Sequence, residues 1–340
     1  MKKIETILIT FFLWIFILFM IYPVLNIISI SLRTDNAFQV KSLSLFEKAE
    51  SYIDENKNGK YDIGEQYDDT NLNLKRDNGS SLKSYSELFL STSFLKWTYN
   101  SMIVSLIVTL SGVMFASIGG YAFSRFKFKG RQFGLLTILS TQMFPATMLL
   151  LPFFILLSKL KLIDSYLGLI IIYTSTALPF CIWQMKSYYD TIPVDLEEAS
   201  RLDGCNKYQS FYLIILPLAK PALVITALFS FMTSWSEYVI AAIVLQNPEL
   251  YTLPLGLKSF QASLSTQWGL YAAGAVVVSI PVTILFFLTN KTPKPLSEII
   301  FNALFIVIFS LTNGTLLPVS IISPTVLSFM PKDPEGWYFL

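Results

Sequence analysis

The chain contains no histidine. Imidazole zinc sites, Ser-His-Asp triads and imidazole proton relays are therefore excluded together. Charge is also scarce: 14% of the 340 residues are Asp, Glu, Lys or Arg, against about 25% in an ordinary soluble domain. With a net charge of +2 there is no electrostatic reason to expect a nucleic-acid partner. The two cysteines, Cys181 and Cys205, have no metal-ligand spacing and predict no structural disulfide. No Gly-rich loop ending in Gly-Lys-Ser/Thr occurs, so no bound nucleotide is expected in this chain.

What the chain has is apolar mass. It is 53% hydrophobic, with 28 Phe and 17 Tyr. A bilayer crossing needs about 20 apolar residues. Six segments reach that length: Ile7–Ile30, Ser101–Phe123, Phe133–Leu157, Tyr166–Met185, Pro221–Leu245 and Gly269–Thr289. The first run is too long for a cleaved signal peptide, and no small-residue cleavage site succeeds it. An all-α polytopic membrane protein is predicted.

Orientation is read from Lys and Arg in short loops. Lys2, Lys3, Arg125, Lys127, Lys129, Arg131, Lys186, Arg201, Lys207, Lys291 and Lys294 fall on one side; Lys159, Lys161 and Lys258 fall on the other. The N-terminus is expected in the cytoplasm and the long first loop outside. The expected division is a first span (1–33), an extracytoplasmic loop (34–98), a five-helix core (99–290) and a C-terminal segment (291–340).

The stretch between spans four and five, "IPVDLEEASRLDGCNKYQSFYLIILPLAKPAL", predicts two short helices along the membrane surface. Asp195, Glu197 and Glu198 suit the first turn of a helix that begins after Pro193. Gly204 can end that helix in the left-handed region. A second apolar-patterned stretch then runs to Pro217.

This loop resembles a known family. Glu198-Ala199-Ser200, Gly204 four residues on, then Ile214, Ile215, Leu216 and Pro217 fit the EAA loop of ABC importer membrane subunits, with Ser200 where the pattern has Ala. "YAFSRFKFKGR", "TQMFPATMLLLPFFILLSKLKLIDSYLGLI" and "SWSEYVIAAIVLQNPELYTLPLGLKSFQ" resemble its sugar-importing branch. "QMFP" and the extended first loop resemble the smaller maltose/maltodextrin permease subunits. The likeness covers residues 1–35 and 85–290. It implies the six-helix type I importer fold in a bacterial cell (inner) membrane. It also implies a second homologous permease subunit, two copies of a cytoplasmic ATPase subunit and an extracytoplasmic sugar-binding protein as partners. Coupling to the ATPase would fall to Glu197, Glu198, Ala199, Ser200, Leu202, Asp203, Gly204 and Pro217, with Glu198 the charged contact. The alternative for "DLEEASRLDG" alone is a solvated amphipathic helix.

Polar side chains inside spans mark candidate transport paths. Thr233, Trp235, Glu237 and Tyr238 in span five, and Gln142 and Phe144 in span three, are the candidates for sugar contact. Pro145, Pro152 and Pro179 can interrupt helical hydrogen bonding. An ion-coupled secondary transporter is the alternative, but it predicts paired intramembrane acids, and Glu237 stands alone. An intramembrane enzyme needs a catalytic pair, and none is evident.

Two segments depart from the family pattern. In the first loop, Ser44 and Glu47 form a capping-box signal, and Leu45, Phe46, Ala49, Tyr52 and Ile53 share a helical face. "DENKNGKYDIGE" comes next. There Asp54, Asn56, Asn58, Lys60 (by its carbonyl), Asp62 and Glu65 occupy the calcium-ligand positions of an EF-hand loop, with Gly59 at its turn. A partial copy has Asp69, Asn71, Asn73 and Asp77. A structural calcium ion is expected here; the alternative is an acidic linker. At the other end, residues 291–340 have no counterpart in the pattern. Ile299–Leu311 is apolar but short for a span, and Asn313-Gly314, Pro318 and Pro324 interrupt the remainder of the segment.

Overall fold

The computed structural model describes residues 2–33, 50–55, 61–63, 65–68, 79–261 and 266–289. The expected helix signal at 44–49, the partial calcium repeat and the C-terminal segment lie outside the described residues. Among those described, regular structure is helical, with isolated antiparallel pairings at Tyr52/Tyr67 and Gln261/Thr266.

The α-helices of the described residues are, in chain order, α1 Lys2–Ser31, α2 Lys83–Ser91, α3 Phe94–Arg125, α4 Arg131–Ser140, α5 Leu150–Lys159, α6 Tyr166–Asp190, α7 Asp195–Leu202, α8 Lys207–Ser210, α9 Leu216–Leu218, α10 Lys220–Ser236, α11 Val239–Val244, α12 Leu253–Lys258 and α13 Trp268–Thr289. Stretches within α1, α3, α6 and α13 are long and apolar enough to cross a membrane. Two bent helix pairs, Arg131–Met143 with Thr147–Lys159 (94°) and Lys207–Leu218 with Lys220–Ser236 (77°), raise the total to six if each is one crossing.

The bend in the third span falls at Pro145, one of the prolines expected to interrupt helical hydrogen bonding between Phe133 and Leu157. A 3-10 turn at Thr141–Met143 ends at Phe144, which is extended (φ −79°, ψ 127°). The residue before a proline is driven out of the helical region by clash with the ring, and Pro145 supplies that ring. Pro152 leaves α5 intact because it sits in the helix's first turn, where its missing N–H had no partner to lose. α6 also runs through Pro179 as one helix.

The chain divides into two compact units. The described residues of one lie within Met1–Lys96 and Leu255–Ile284; those of the other lie within Trp97–Pro254 and Leu285–Lys291. In the first unit the Ser31 hydroxyl lies 2.8 Å from the Tyr85 hydroxyl, and the Ser81 N–H donates to the Leu32 carbonyl at 2.7 Å. These contacts join α1 to α2. Gly274 of α13 faces Leu257 so closely that an added Cβ would sit 2.2 Å from its Cδ2.

The second unit is built on α3, α6 and α10. Gly112, Ala116 and Gly120 recur every fourth residue on α3, a small-residue stripe that lets helix backbones approach. A Cβ on Gly112 would meet Ser230 Oγ of α10 at 2.7 Å, and one on Gly120 would meet Met185 Cβ at 2.7 Å and the Lys186 backbone nitrogen at 2.9 Å of α6. Ala116 is fully buried with Cys181, Met185, Tyr189, Phe211 and Ile215. The turn before α6 is tied down by Asp164, whose Oδ1 accepts from the Gln246 and Asn247 N–H groups, each at 2.9 Å.

Candidate functional site

α7 and its flanks form the most strongly built polar site of the second unit. α7 begins two residues after Pro193, and Asp195, Glu197 and Glu198 occupy its first turn. It ends in a Schellman motif: the Cys205 N–H donates to the Ser200 carbonyl and the Gly204 N–H to the Arg201 carbonyl, each at 3.0 Å. Gly204 has φ +89°, the conformation its sequence position predicts. α8 then starts with a capping box: Asn206 Oδ1 accepts from the Gln209 N–H (2.9 Å) and Gln209 Oε1 from the Asn206 N–H (2.8 Å). A π-helical segment, Phe211–Ile215, joins α8 to α9.

The two faces of α7 differ sharply. Leu196, Glu198, Ala199, Leu202, Asp203 and Gly204 are exposed, as is Pro217 beyond α8. Leu202 is 90% exposed despite being a large apolar residue. Glu197 and Ser200, three apart and so on one face, point the other way and are 2% and 3% exposed. Glu197 and Ser200 are thus set apart from the other six residues that the family resemblance names for coupling, all of which are exposed. Glu197 Oε1 accepts from Arg125 Nε at 2.5 Å, and its Oε2 accepts from the Tyr121 hydroxyl at 2.9 Å. Arg125 Nη2 also donates to the Ile192 carbonyl at 2.7 Å. The Ser124 hydroxyl donates to Asp190 Oδ1 at 2.6 Å. The Ser200 hydroxyl lies 2.8 Å from the Ser210 hydroxyl and donates to the Glu197 carbonyl. The Tyr121 ring packs on Phe211, Tyr189 and Phe126.

The candidate transport path is less compact. α10 stops at Ser236, and Glu237 is extended (φ −72°, ψ 123°), so the fifth span is not continuous from Pro221 to Leu245. Glu237 Oε1 accepts from the Ile240 N–H at 3.0 Å, and its carbonyl accepts from the Tyr173 hydroxyl at 3.3 Å. The acid thus caps α11. Trp235 is fully buried and stacked on Phe231 at 5.4 Å and 17°, so its faces offer no platform to a sugar. Thr233 donates to the Phe229 carbonyl of its own helix at 2.9 Å. Tyr238 is half-buried. At the other broken span, Gln142 Nε2 donates to the Thr176 carbonyl of α6 at 2.8 Å, and Phe144 is 61% exposed. α6 thereby holds both segments, through the Tyr173 hydroxyl on the Glu237 carbonyl and the Thr176 backbone carbonyl on Gln142. Sequence reasoning misses both contacts, because a Tyr inside an apolar run gives no sign of what faces it and a backbone carbonyl acceptor leaves no side-chain signature.

In the first unit, the loop around Asp54 closes on itself. The Ile53 N–H donates to the Gln66 carbonyl (2.8 Å) and the Asp68 N–H to the Ser51 carbonyl (2.9 Å). Tyr52 is therefore extended and not part of a helix reaching Ile53, because pairing with Tyr67 satisfies the backbone instead. Tyr61 makes edge contacts with both Tyr52 and Tyr67. Glu65 is 8% exposed; its Oε1 accepts from the Glu55 N–H (3.2 Å) and its Oε2 from the Asp62 N–H (2.9 Å). Asn56, Asn58 and Lys60 lie outside the described residues. Among those described, no group of three or more His, Cys, Asp or Glu side chains is gathered for a metal. Both Glu65 carboxylate oxygens are thus taken up by backbone N–H groups of their own loop.

The chain is similar to known proteins. The family of binding-protein-dependent transport system inner membrane components matches residues 112–291. The maltodextrin transport system permease protein MdxG of Bacillus subtilis is 35% identical over 212 residues, 62% of this chain and 76% of that protein. The galactooligosaccharides transport system permease protein GanQ of the same organism is 36% identical over 211 residues, 61% of this chain and 75% of that protein. A crystal structure of a bacterial ABC transporter involved in the import of the acidic polysaccharide alginate matches the fold with TM-score 0.66 and 24% identity, covering 86% of this chain and 98% of that one.

Proposed function

The chain belongs to the binding-protein-dependent transport system inner membrane components, and from that premise we propose that it is the permease subunit of an ATP-driven oligosaccharide importer, with a maltodextrin as cargo. It is a multi-pass membrane protein and a transport subunit, not an enzyme. The observation that carries the coupling part of this reading is α7: two turns of helix with Glu198, Ala199 and Leu202 outward, ended by Gly204 and backed by a buried polar cluster. Such a face suits a cleft on a separate cytoplasmic ATPase, of which two copies would serve this subunit and a homologous second permease. A sugar-binding protein would deliver cargo from outside. Lys and Arg asymmetry supports a cytoplasmic N-terminus in a bacterial cell membrane. The cargo assignment rests on relatives named for maltodextrin and galactooligosaccharides.

The test is reconstitution in lipid vesicles with the cognate second permease, ATPase and binding protein. Labelled maltodextrin uptake is expected to require both internal ATP and binding protein. Uptake driven by an ion gradient without the ATPase would replace this reading with a secondary transporter.

Calcium completes the proposal for the outer loop. Asp54, Asn56, Asn58, the Lys60 carbonyl, Asp62 and Glu65 would hold the ion, all through oxygen as calcium prefers. Its part would be to brace the loop. Extracellular modules of this kind bind at about 10⁻⁴ to 10⁻³ M. At a calcium concentration about 100 times Kd, tryptic cleavage of the full-length chain at Lys60, Lys75 or Arg76 is expected to slow about 100-fold. Glu65→Gln should remove that protection. Equal cleavage with and without calcium would eliminate the metal.

A further inference from the structure

We propose that Glu197, Arg125 and Tyr121 form a joint that passes displacement of α7 to the end of α3, making Glu197 a positioning residue and not a docking contact. This rests on the permease reading but goes beyond it, because that reading needs only that α7 be presented.

The reasons are geometric. α7 has eight residues, and isolated helices shorter than about 12 residues do not hold their shape in water. Its rigidity must come from what it packs on. The Schellman end and the Ser200–Ser210 contact fix α7 to α8. Glu197 fixes it to α3, with both carboxylate oxygens engaged from that helix. Arg125 is the last residue of α3. Its guanidinium holds two points at once, the Glu197 side chain and the Ile192 carbonyl just before α7. A planar fork can bridge two such acceptors, whereas a lysine ammonium on a flexible stem cannot reproduce that bridge. α7 therefore cannot rotate on α3 without breaking one of the two. The Ser124–Asp190 bond ties the end of α6 into the same knot. The side chains of Arg125 and Glu197 are 11% and 3% exposed, so water does not readily replace a broken bond. Glu198, the adjacent carboxylate, stands on the exposed face of the helix.

The experiment uses the whole importer in vesicles and reads two quantities: ATPase recovered with the permease, and ATP hydrolysed per sugar imported. Per mole of folded permease, Glu197→Gln and Arg125→Lys are expected to retain ATPase at wild-type amounts while the ratio of hydrolysis to import rises about tenfold. Tyr121→Phe, which removes one hydroxyl and keeps the ring packing, should raise it about threefold. A residue that merely stabilised the fold would lower the yield of complex and leave the ratio alone. An unchanged ratio in assembled Glu197→Gln and Tyr121→Phe complexes overturns the joint. So does loss of ATPase from a folded Glu197→Gln chain, which would put Glu197 on the docking surface. Should Glu197→Gln fail to assemble through misfolding, the Tyr121→Phe ratio decides. A wild-type chain that recovers no ATPase fails the permease reading instead.

Discussion

A chain carrying Glu198→Lys is expected to leave the membrane without its ATPase. Glu198 stands on the exposed face of α7, so reversing its charge costs the free permease within about 0.5 kcal/mol. Against a partner cation in a closed interface the cost is different in kind. Removing one member of a desolvated charge pair costs about 2–5 kcal/mol, and lysine adds repulsion. Association should weaken at least about 100-fold, enough to abolish co-purification. Glu198→Gln, which keeps the shape, should fall between. The measurement is ATPase recovered per mole of monodisperse permease. Wild-type recovery with Glu198→Lys would remove α7's outer face from the coupling surface. The contrast with Glu197 is what makes the pair of experiments informative: neighbouring acids are expected to separate assembly from transmission.

The second large effect is expected at Gly120. Even Gly120→Ala would place a Cβ 2.9 Å from the Lys186 backbone nitrogen and 2.7 Å from Met185 Cβ. The Met185 side chain is fully buried, and a backbone atom inside α6 cannot be moved without moving the helix. Overpacking of this sort costs about 1–3 kcal/mol, and Gly120→Leu should exceed that. Gly119, its neighbour on α3, meets only the Ile182 side chain, at 3.3 Å or more, and no backbone atom, so Gly119→Ala should cost clearly less. Thermal unfolding of the purified permease compares them. Equal melting temperatures would mean that α3 and α6 are not packed this closely in the membrane.

Much of the architecture is legible in the residues alone, and the misses have identifiable causes. α1, α3, α6 and α13 announce themselves because each apolar run is long enough to satisfy its own backbone across a bilayer. The Gly204 stop and the α7 start after Pro193 are equally readable, since both depend on one residue's conformational limits. The end of α10 is not readable. "YVIAAIVL" resumes the apolar run directly after Glu237, and hydropathy counts side chains while the break is a backbone event, secured when Glu237 caps α11. Trp235 looks like a sugar platform because aromatic character says nothing about which neighbour covers the ring. Glu197 and Glu198 look interchangeable in sequence; a rotation of about 100° along the helix separates them. The Gly112, Ala116, Gly120 stripe likewise acquires its meaning only once α6 and α10 are seen against it.

The Arg125–Glu197 pair has a consequence for how the protein can change over generations. The two codons lie 72 residues apart, yet loss of either partner strands a buried charge, a penalty of about 3–5 kcal/mol. A single substitution at one position is then a dead end unless the other has already changed. The two sites should drift together or not at all, inherited as one character. Under the proposed docking to an ATPase, exposed Glu198 should instead drift in step with a different gene.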